Sequence, residues 1–253
     1  LIGMDAGGFA SLTPDACAAL RKAPTIMGPS RHLSLLPNLP AQKLVWPVPF
    51  QAGIDQLLAM RGQPVAVLVS GDPFWFGAGS QLVCTLDHKE WLALPGRSCF
   101  SLAASALGWA LESTACLGLH AAPLTRLRPY LSPGRRLFVT LRDGQAVQDL
   151  ADYLATSGFA QSQLTVLEKL AGPEQTVTFI SASDTGKADF QHPVMVGVEV
   201  AGEGRVMPQS SGLSDDWFAH DGQLTKQPVR AATLAALAPQ PGQYLWDLGA
   251  GSG

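Results

Sequence analysis

The stretch Val65-Ala66-Val67-Leu68-Val69-Ser70-Gly71-Asp72-Pro73-Phe74-Trp75-Phe76-Gly77-Ala78-Gly79 decides the fold class. Five apolar residues, three of them β-branched, read as a strand buried on both faces, the habit of parallel sheets. The strand runs directly into a turn with backbone donors, one carboxylate and aromatic side chains. In open α/β sheets, ligands sit at this carboxyl edge.

Outward from this stretch, further strands are predicted at residues 1–3, 25–28, 137–141, 164–167 and 194–200. Helical stretches alternate with them, so the fold class is α/β with a largely parallel sheet. Thr13-Pro14-Asp15 supplies a capping hydroxyl and a first-turn proline to a helix over 16–23. Helices are also predicted over 101–111 and 145–157. A polar, proline-containing stretch at 114–128 separates two α/β lobes, about 1–115 and 120–201. Residues 202–214, rich in Gly, Ser, Pro and Gln, read as a linker. Beyond it, 215–253 carries a helix over 227–237 and a strand over 244–248 that ends in Gly249-Ala250-Gly251-Ser252-Gly253. These last residues are the start of a second nucleotide-type turn without the helix that would complete it.

Of 253 residues, 47% are apolar and 15% charged, enough to bury a substantial core. A net charge of −3 argues against broad nucleic-acid binding. Cys17, Cys84, Cys99 and Cys116 lack C-x-x-C spacing, so neither a metal site nor a disulfide framework is expected, and reduced thiols suit a cytoplasmic protein. No apolar run approaches the roughly 18 residues of a membrane helix. Leu1 already lies within a predicted strand, and a few preceding residues are expected.

Three glycine-rich turns compete for function. Ile2-Gly3-Met4-Asp5-Ala6-Gly7-Gly8 reads equally as a ligand turn and as a plain βα connection. In the second turn, Asp72 either accepts hydrogen bonds from a ribose or amine, or caps a following helix started by Pro73, with Phe74 and Phe76 as core. The third, Leu94-Pro95-Gly96-Arg97-Ser98-Cys99, either exposes helix amide donors or serves capping and close packing.

In this order and spacing, the turns resemble the tetrapyrrole methylase family. The resemblance is carried by residues 2–8, Arg31-His32-Leu33, 70–79, 95–107, 117–121 and 164–172, while 215–253 is similar to the start of a second methyltransferase domain. It implies two α/β lobes over 1–201 with a cofactor cleft between them, joined by 202–214 to a Rossmann-like fragment. It also implies S-adenosyl-L-methionine (or its demethylated product S-adenosyl-L-homocysteine) as cofactor, a precorrin (a reduced tetrapyrrole) as substrate, and pairing as a dimer. By motif, the cofactor contacts are Ala6, Ser70, Gly71, Asp72, Trp75, Ser98 and Cys99, with Leu141 and Leu170 from the second lobe. The first turn departs from the family's usual G-x-G-P-G, because Asp5 and Ala6 replace its second glycine and proline.

Methyl transfer from a sulfonium to an enamine-like carbon needs alignment more than acid–base power, and no Ser-His-Asp or Cys-His arrangement is visible. Substrate carboxylates need cations. Arg31-His32, after a strand and the Gly28-Pro29 turn, are placed at the cleft, with Arg126, Arg128 and Arg142 weaker candidates. His120 either orients substrate or assists proton loss, or is structural. Trp75 and Phe76 stack on a macrocycle or belong to the core. The alternatives are another tetrapyrrole methyltransferase of different regiochemistry and a non-catalytic precorrin-binding scaffold. The segment 215–253 is expected to lack a core of its own.

Overall fold

The computed structural model describes residues 1–186 and 189–249. In chain order the elements are β1 (Ile2–Met4), α1 (Pro14–Lys22), β2 (Thr25–Gly28), α2 (Ser30–Ser34), β3 (Gln42–Val45), α3 (Phe50–Ala59), β4 (Val65–Ser70), α4 (Gly79–Val83) and α5 (Cys99–Leu107). They continue as β5 (Thr114–Gly118), β6 (Arg136–Thr140), α6 (Gln145–Thr156), β7 (Gln163–Glu168), β8 (Thr176–Ser181), β9 (Val194–Glu199) and α7 (Gln227–Leu237).

The first sheet has the order β1-β4-β2-β3 and every pairing in it is parallel. Thr13 caps α1, accepting from the Ala16 amide at 3.3 Å. Ile2, Met4, Ile26 and Leu68 bury one face of this sheet with Leu20 of α1, while Val67 and Val69 bury the other with Ile54 and Leu82.

The second sheet, β5-β6-β9-β7-β8, corrects the expectation of a largely parallel fold. Only β5–β6 is parallel, and β6–β9, β9–β7 and β7–β8 are antiparallel. The loop 169–175 between β7 and β8 is too short for the helical crossover that a parallel pairing requires. Alternation along the strands sorts the side chains. Leu137 and Val139 pack with α6, whereas Phe138 faces Phe100 and Ala103 of α5. The helix α5 stops at Leu107, short of the expected 111, because Gly108 takes the left-handed conformation (φ 65°) that terminates helices. Residues 114–118, expected in the boundary between lobes, form β5 and belong to the second sheet.

Residues 202–214 contain no regular element, yet they are tied down. Arg205 bonds Asp216 at 2.7 Å and the Arg128 guanidinium bonds the Arg205 carbonyl. The guanidinium carbons of Arg128 and Arg205 lie 4.7 and 4.2 Å from the centre of the Trp217 ring. In 215–249 the buried side chains among the described residues are Leu224 and Arg230, and the latter is paired with Asp215 at 2.7 Å. Residues 244–248 are not a strand. Tyr244, Trp246 and Leu248 are exposed, and among the described residues no strand lies beside them. The glycine turn that follows lies outside the described residues beyond Gly249.

Cation–π contacts at partly exposed sites contribute about 0.5–1 kcal/mol each. Trp217→Ala is therefore expected to speed hydrogen exchange of amides 205–218 roughly tenfold, leaving β6 and β9 protected. Unchanged exchange in that segment would remove the tryptophan from its anchoring role.

Candidate functional site

Three backbone segments meet at the carboxyl end of the first sheet. Gly71 N–H donates to the Met4 carbonyl at 2.9 Å, and Gly96 N–H donates to the Gly71 carbonyl at 3.2 Å. A Cβ on Gly3 would lie 2.0 Å from the Gly71 oxygen and 2.3 Å from the Gly96 nitrogen, so only glycine permits this approach. Above the meeting point opens a cavity of about 540 Å³, within the range of small-molecule sites.

The cavity lies between the lobes. Met4, Asp5, Ala6, Ser70, Gly71 and Asp72 line it from the ends of β1 and β4. Arg97, Ser98, Cys99 and Phe100 follow from the start of α5, and Leu141, Leu167, Leu170 and Met195 close it from the second lobe. Antiparallel pairing of β9 sets the amino end of β9 beside the carboxyl ends of β6 and β7. Thr140 faces Met195 and Glu168 faces Val194. The lobes touch where Ala6 approaches Gly172; a Cβ there would lie 3.0 Å from the Ala6 Cβ. Leu170 reaches the cavity from a tight turn in which Lys169 and Ala171 both have positive φ (48° and 66°).

The structure brings Ala6, Ser70, Gly71, Asp72, Trp75, Ser98, Cys99, Leu141, Leu170, Arg31 and His120 to this one cavity. Their local roles differ. Asp72 Oδ1 accepts from the Phe74 amide at 2.8 Å, so one carboxylate oxygen shapes its own turn. Phe74 and Phe76 are exposed, not core, and Trp75 stacks on Phe100 with centroids 5.6 Å apart. Ser98 caps α5, accepting from the Ser101 amide at 3.0 Å. Burial pushes the Cys99 thiol up to about 11, which keeps it protonated and unreactive. Arg31 donates to Ser70 Oγ at 2.6 Å, and lost hydration lowers its pKa. His120 Nδ1 lies 3.3 Å from the Thr140 hydroxyl.

His32 is a correction. It faces away from the cavity into the core beneath α2, 2% exposed, with Nδ1 lacking a partner. Burial, and then the Arg31 charge beside it, lower its pKa to about 3, so it is neutral and cannot hold a carboxylate. Three cavity features escaped the sequence reading: Thr140, His192 and the Asp5–Arg97 pair. Asp5 Oδ1 accepts from the Gly7 amide and the Ser11 hydroxyl, each at 2.8 Å, and Oδ2 accepts from Arg97 at 2.8 and 2.9 Å. The carboxylate that replaces the family's second glycine therefore ties the first turn to the third. Among the described residues, no group of His, Cys, Asp and Glu has the arrangement of a metal site.

Residues 1–184 match the family pattern described as tetrapyrrole (corrin/porphyrin) methylases, and residues 216–253 match a precorrin methyltransferase domain. The chain belongs to the tetrapyrrole methylase family. It is 43% identical over 257 residues to a precorrin-6Y C(5,15)-methyltransferase (decarboxylating) of Sinorhizobium sp, an alignment that covers all of this chain and 62% of that protein. The chain thus spans about three-fifths of its curated relative's length. Among solved structures, the methyltransferase CobJ superposes with a TM-score of 0.64 at 23% identity, covering 82% of this chain and 95% of that one. A uroporphyrin-III C-methyl transferase from Thermus thermophilus, complexed with S-adenosyl homocysteine, superposes at 0.59 with 22% identity, covering 78% and 96%.

Two predictions follow from the geometry. Unfolding free energies of Asp5→Asn, Arg97→Met and the double variant should show a coupling of about 1 kcal/mol, and strict additivity would deny the pair a role. Below pH 6.5 the unfolded chain protonates His32 while the folded chain does not until about pH 3, so stability falls as pH drops through that window. Between pH 6.5 and 5 this loss amounts to about 2 kcal/mol. His32→Gln should flatten the thermal-melting profile across the window, and an undiminished acid slope would contradict the assignment.

Proposed function

We propose that residues 1–201 methylate a ring carbon of a precorrin with S-adenosylmethionine, carbon 5 of precorrin-6Y in cobalamin synthesis. In the longer protein, the domain beginning near residue 215 after the 202–214 linker then methylates carbon 15 and decarboxylates. The supporting observation is the inter-lobe cavity at the carboxyl ends of β1 and β4, where the glycine turns of one lobe face Leu141 and Leu170 of the other. The name of the 43% identical relative and the S-adenosyl homocysteine in a fold neighbour point the same way. The reading further takes the protein to pair as a dimer and to work in the cytoplasm. Among the described residues, no helix is long and apolar enough to cross a membrane.

The residues present fit the donor. The close approach of Gly3, Gly71 and Gly96 locks the three turns together, Ser70, Gly71 and Asp72 present their turn to the cavity, and Leu141, Leu167, Leu170 and Met195 make an apolar wall for a flat base. When bound, S-adenosylmethionine supplies an activated methyl group. The chain aligns and shields: Trp75 and Phe76, both exposed beside the cavity, offer ring faces to a macrocycle, and Arg31 offers a cation to its carboxylates. An in-line displacement at an already nucleophilic carbon asks little more than this orientation.

Calorimetry with S-adenosylmethionine should give saturable binding, weakened about tenfold in Asp72→Ala, equivalent to about 1.4 kcal/mol. Incubation with precorrin-6Y and labelled donor should place the label on carbon 5 by NMR. A scaffold would bind no donor and be indifferent to Asp72.

A further inference from the structure

Where β6 meets β9, the cavity wall turns polar: Arg31, His120, Thr140 and His192 line it together. The segment carrying His192 is held from two sides. Gln191 N–H donates to Glu168 Oε1 at 2.6 Å, and the Pro193 carbonyl accepts from Lys169 N–H at 2.9 Å. Glu168 is buried, and its other oxygen accepts from the Thr176 hydroxyl at 2.5 Å. The imidazole thus stands on an anchored backbone and faces the same space as the proposed donor and substrate sites.

The two histidines differ. His120 has Nδ1 engaged by the Thr140 hydroxyl, which orients the ring. The groups around His192 are Arg31 after β2, His120 after β5, and Asp143 with the Arg142 backbone after β6. Lost hydration first, and then the charge of Arg31, hold the His192 pKa below the ordinary 6.5 against the opposing pull of Arg142 and Asp143. Its ring is therefore neutral at neutral pH, with a nitrogen lone pair to offer.

We infer that His192 is the proton acceptor of the reaction, taking the proton that the macrocycle loses once its carbon has been methylated. This rests on the C-methylation reading above. The substrate carbon's electron pair forms the new bond to the methyl group, and the methyl–sulfur pair stays on sulfur, leaving a neutral thioether. The positive charge passes to the macrocycle as an iminium. Loss of a ring proton to His192 returns that bonding pair to the conjugated system, and the imidazolium discharges to solvent through the cavity mouth. One methyl group and one proton change hands, and no other reactant is needed.

The test is the pH dependence of kcat for the full chain with saturating precorrin-6Y and S-adenosylmethionine, since the proton is lost after the methyl group has moved. The wild type should lose activity on the acid side with a midpoint below 6.5. His192→Gln should abolish that limb and lower kcat about 100-fold or more, the typical contribution of a positioned base. Its S-adenosylmethionine affinity by calorimetry should stay within about twofold. Imidazole added to His192→Gly should restore part of the rate, whereas His120→Gln should keep the acid limb. An acid limb that persists in His192→Gln with its midpoint unchanged overturns the inference and leaves the methylation reading standing. A wild-type chain that binds donor but methylates no precorrin overturns the reading itself, and this inference with it.

Discussion

The site depends on how closely three backbones approach at Gly3, Gly71 and Gly96. A side chain at Gly3 would collide with backbone atoms, which cannot rotate away as a flexible side chain can. Seven of the residues that the first lobe contributes to the cavity lie within three residues of one of these glycines: Asp5 and Ala6 after the first, Ser70 and Asp72 around the second, Arg97, Ser98 and Cys99 beyond the third. Their relative positions are fixed by backbone hydrogen bonds of about 3 Å, not by side-chain packing. The Asp5–Arg97 pair closes the same junction electrostatically. It spans two of the three turns and holds the first against the third.

The second lobe meets this floor through a different constraint. Because β9 runs antiparallel between β6 and β7, the loop entering it emerges at the same edge as the loops leaving its neighbours. Leu141, Leu170 and His192 come from three separated parts of the chain and converge for that reason alone. An all-parallel sheet would have sent the residues before β9 to the opposite edge, away from any ligand. The departure from a parallel sheet and the presence of His192 at the cavity thus have one cause, the direction of β9.

Much of the fold was legible in the sequence, and what was missed shares a physical character. The interior strands were legible because burial on both faces requires unbroken apolar runs; β2 falls on the expected 25–28 and β4 adds only Ser70. The missed strands β3, β5 and β8 are all sheet edges. With one flank in solvent, they carry residues such as Gln42, Lys43, Thr176 and Thr178 that no apolar pattern marks. Site residues followed the same logic. Those after glycine turns could be placed because strand ends project toward ligands. Arg31 and His32, read as a pair, part company because consecutive residues on a helix point about 100° apart. One reaches the cavity and the other the core.

The polar groups around the cavity divide into those the architecture consumes and those it leaves to a ligand. Both oxygens of Asp5 are occupied by Gly7, Ser11 and Arg97. Both oxygens of Glu168 are occupied by Gln191 and Thr176. Ser98 is committed to α5, and the Cys99 thiol is held protonated by its apolar surroundings. The side chains most often recruited as nucleophiles or strong general bases are therefore already spent. What remains on the cavity wall is a guanidinium with one of its five donors used on Ser70, a carboxylate with one oxygen turned to its own backbone, and neutral imidazole. Such a set orients charged ligands and removes a weakly held proton, but it cannot activate an inert bond. The reactivity must arrive with the ligands, as it does when a sulfonium meets an electron-rich ring.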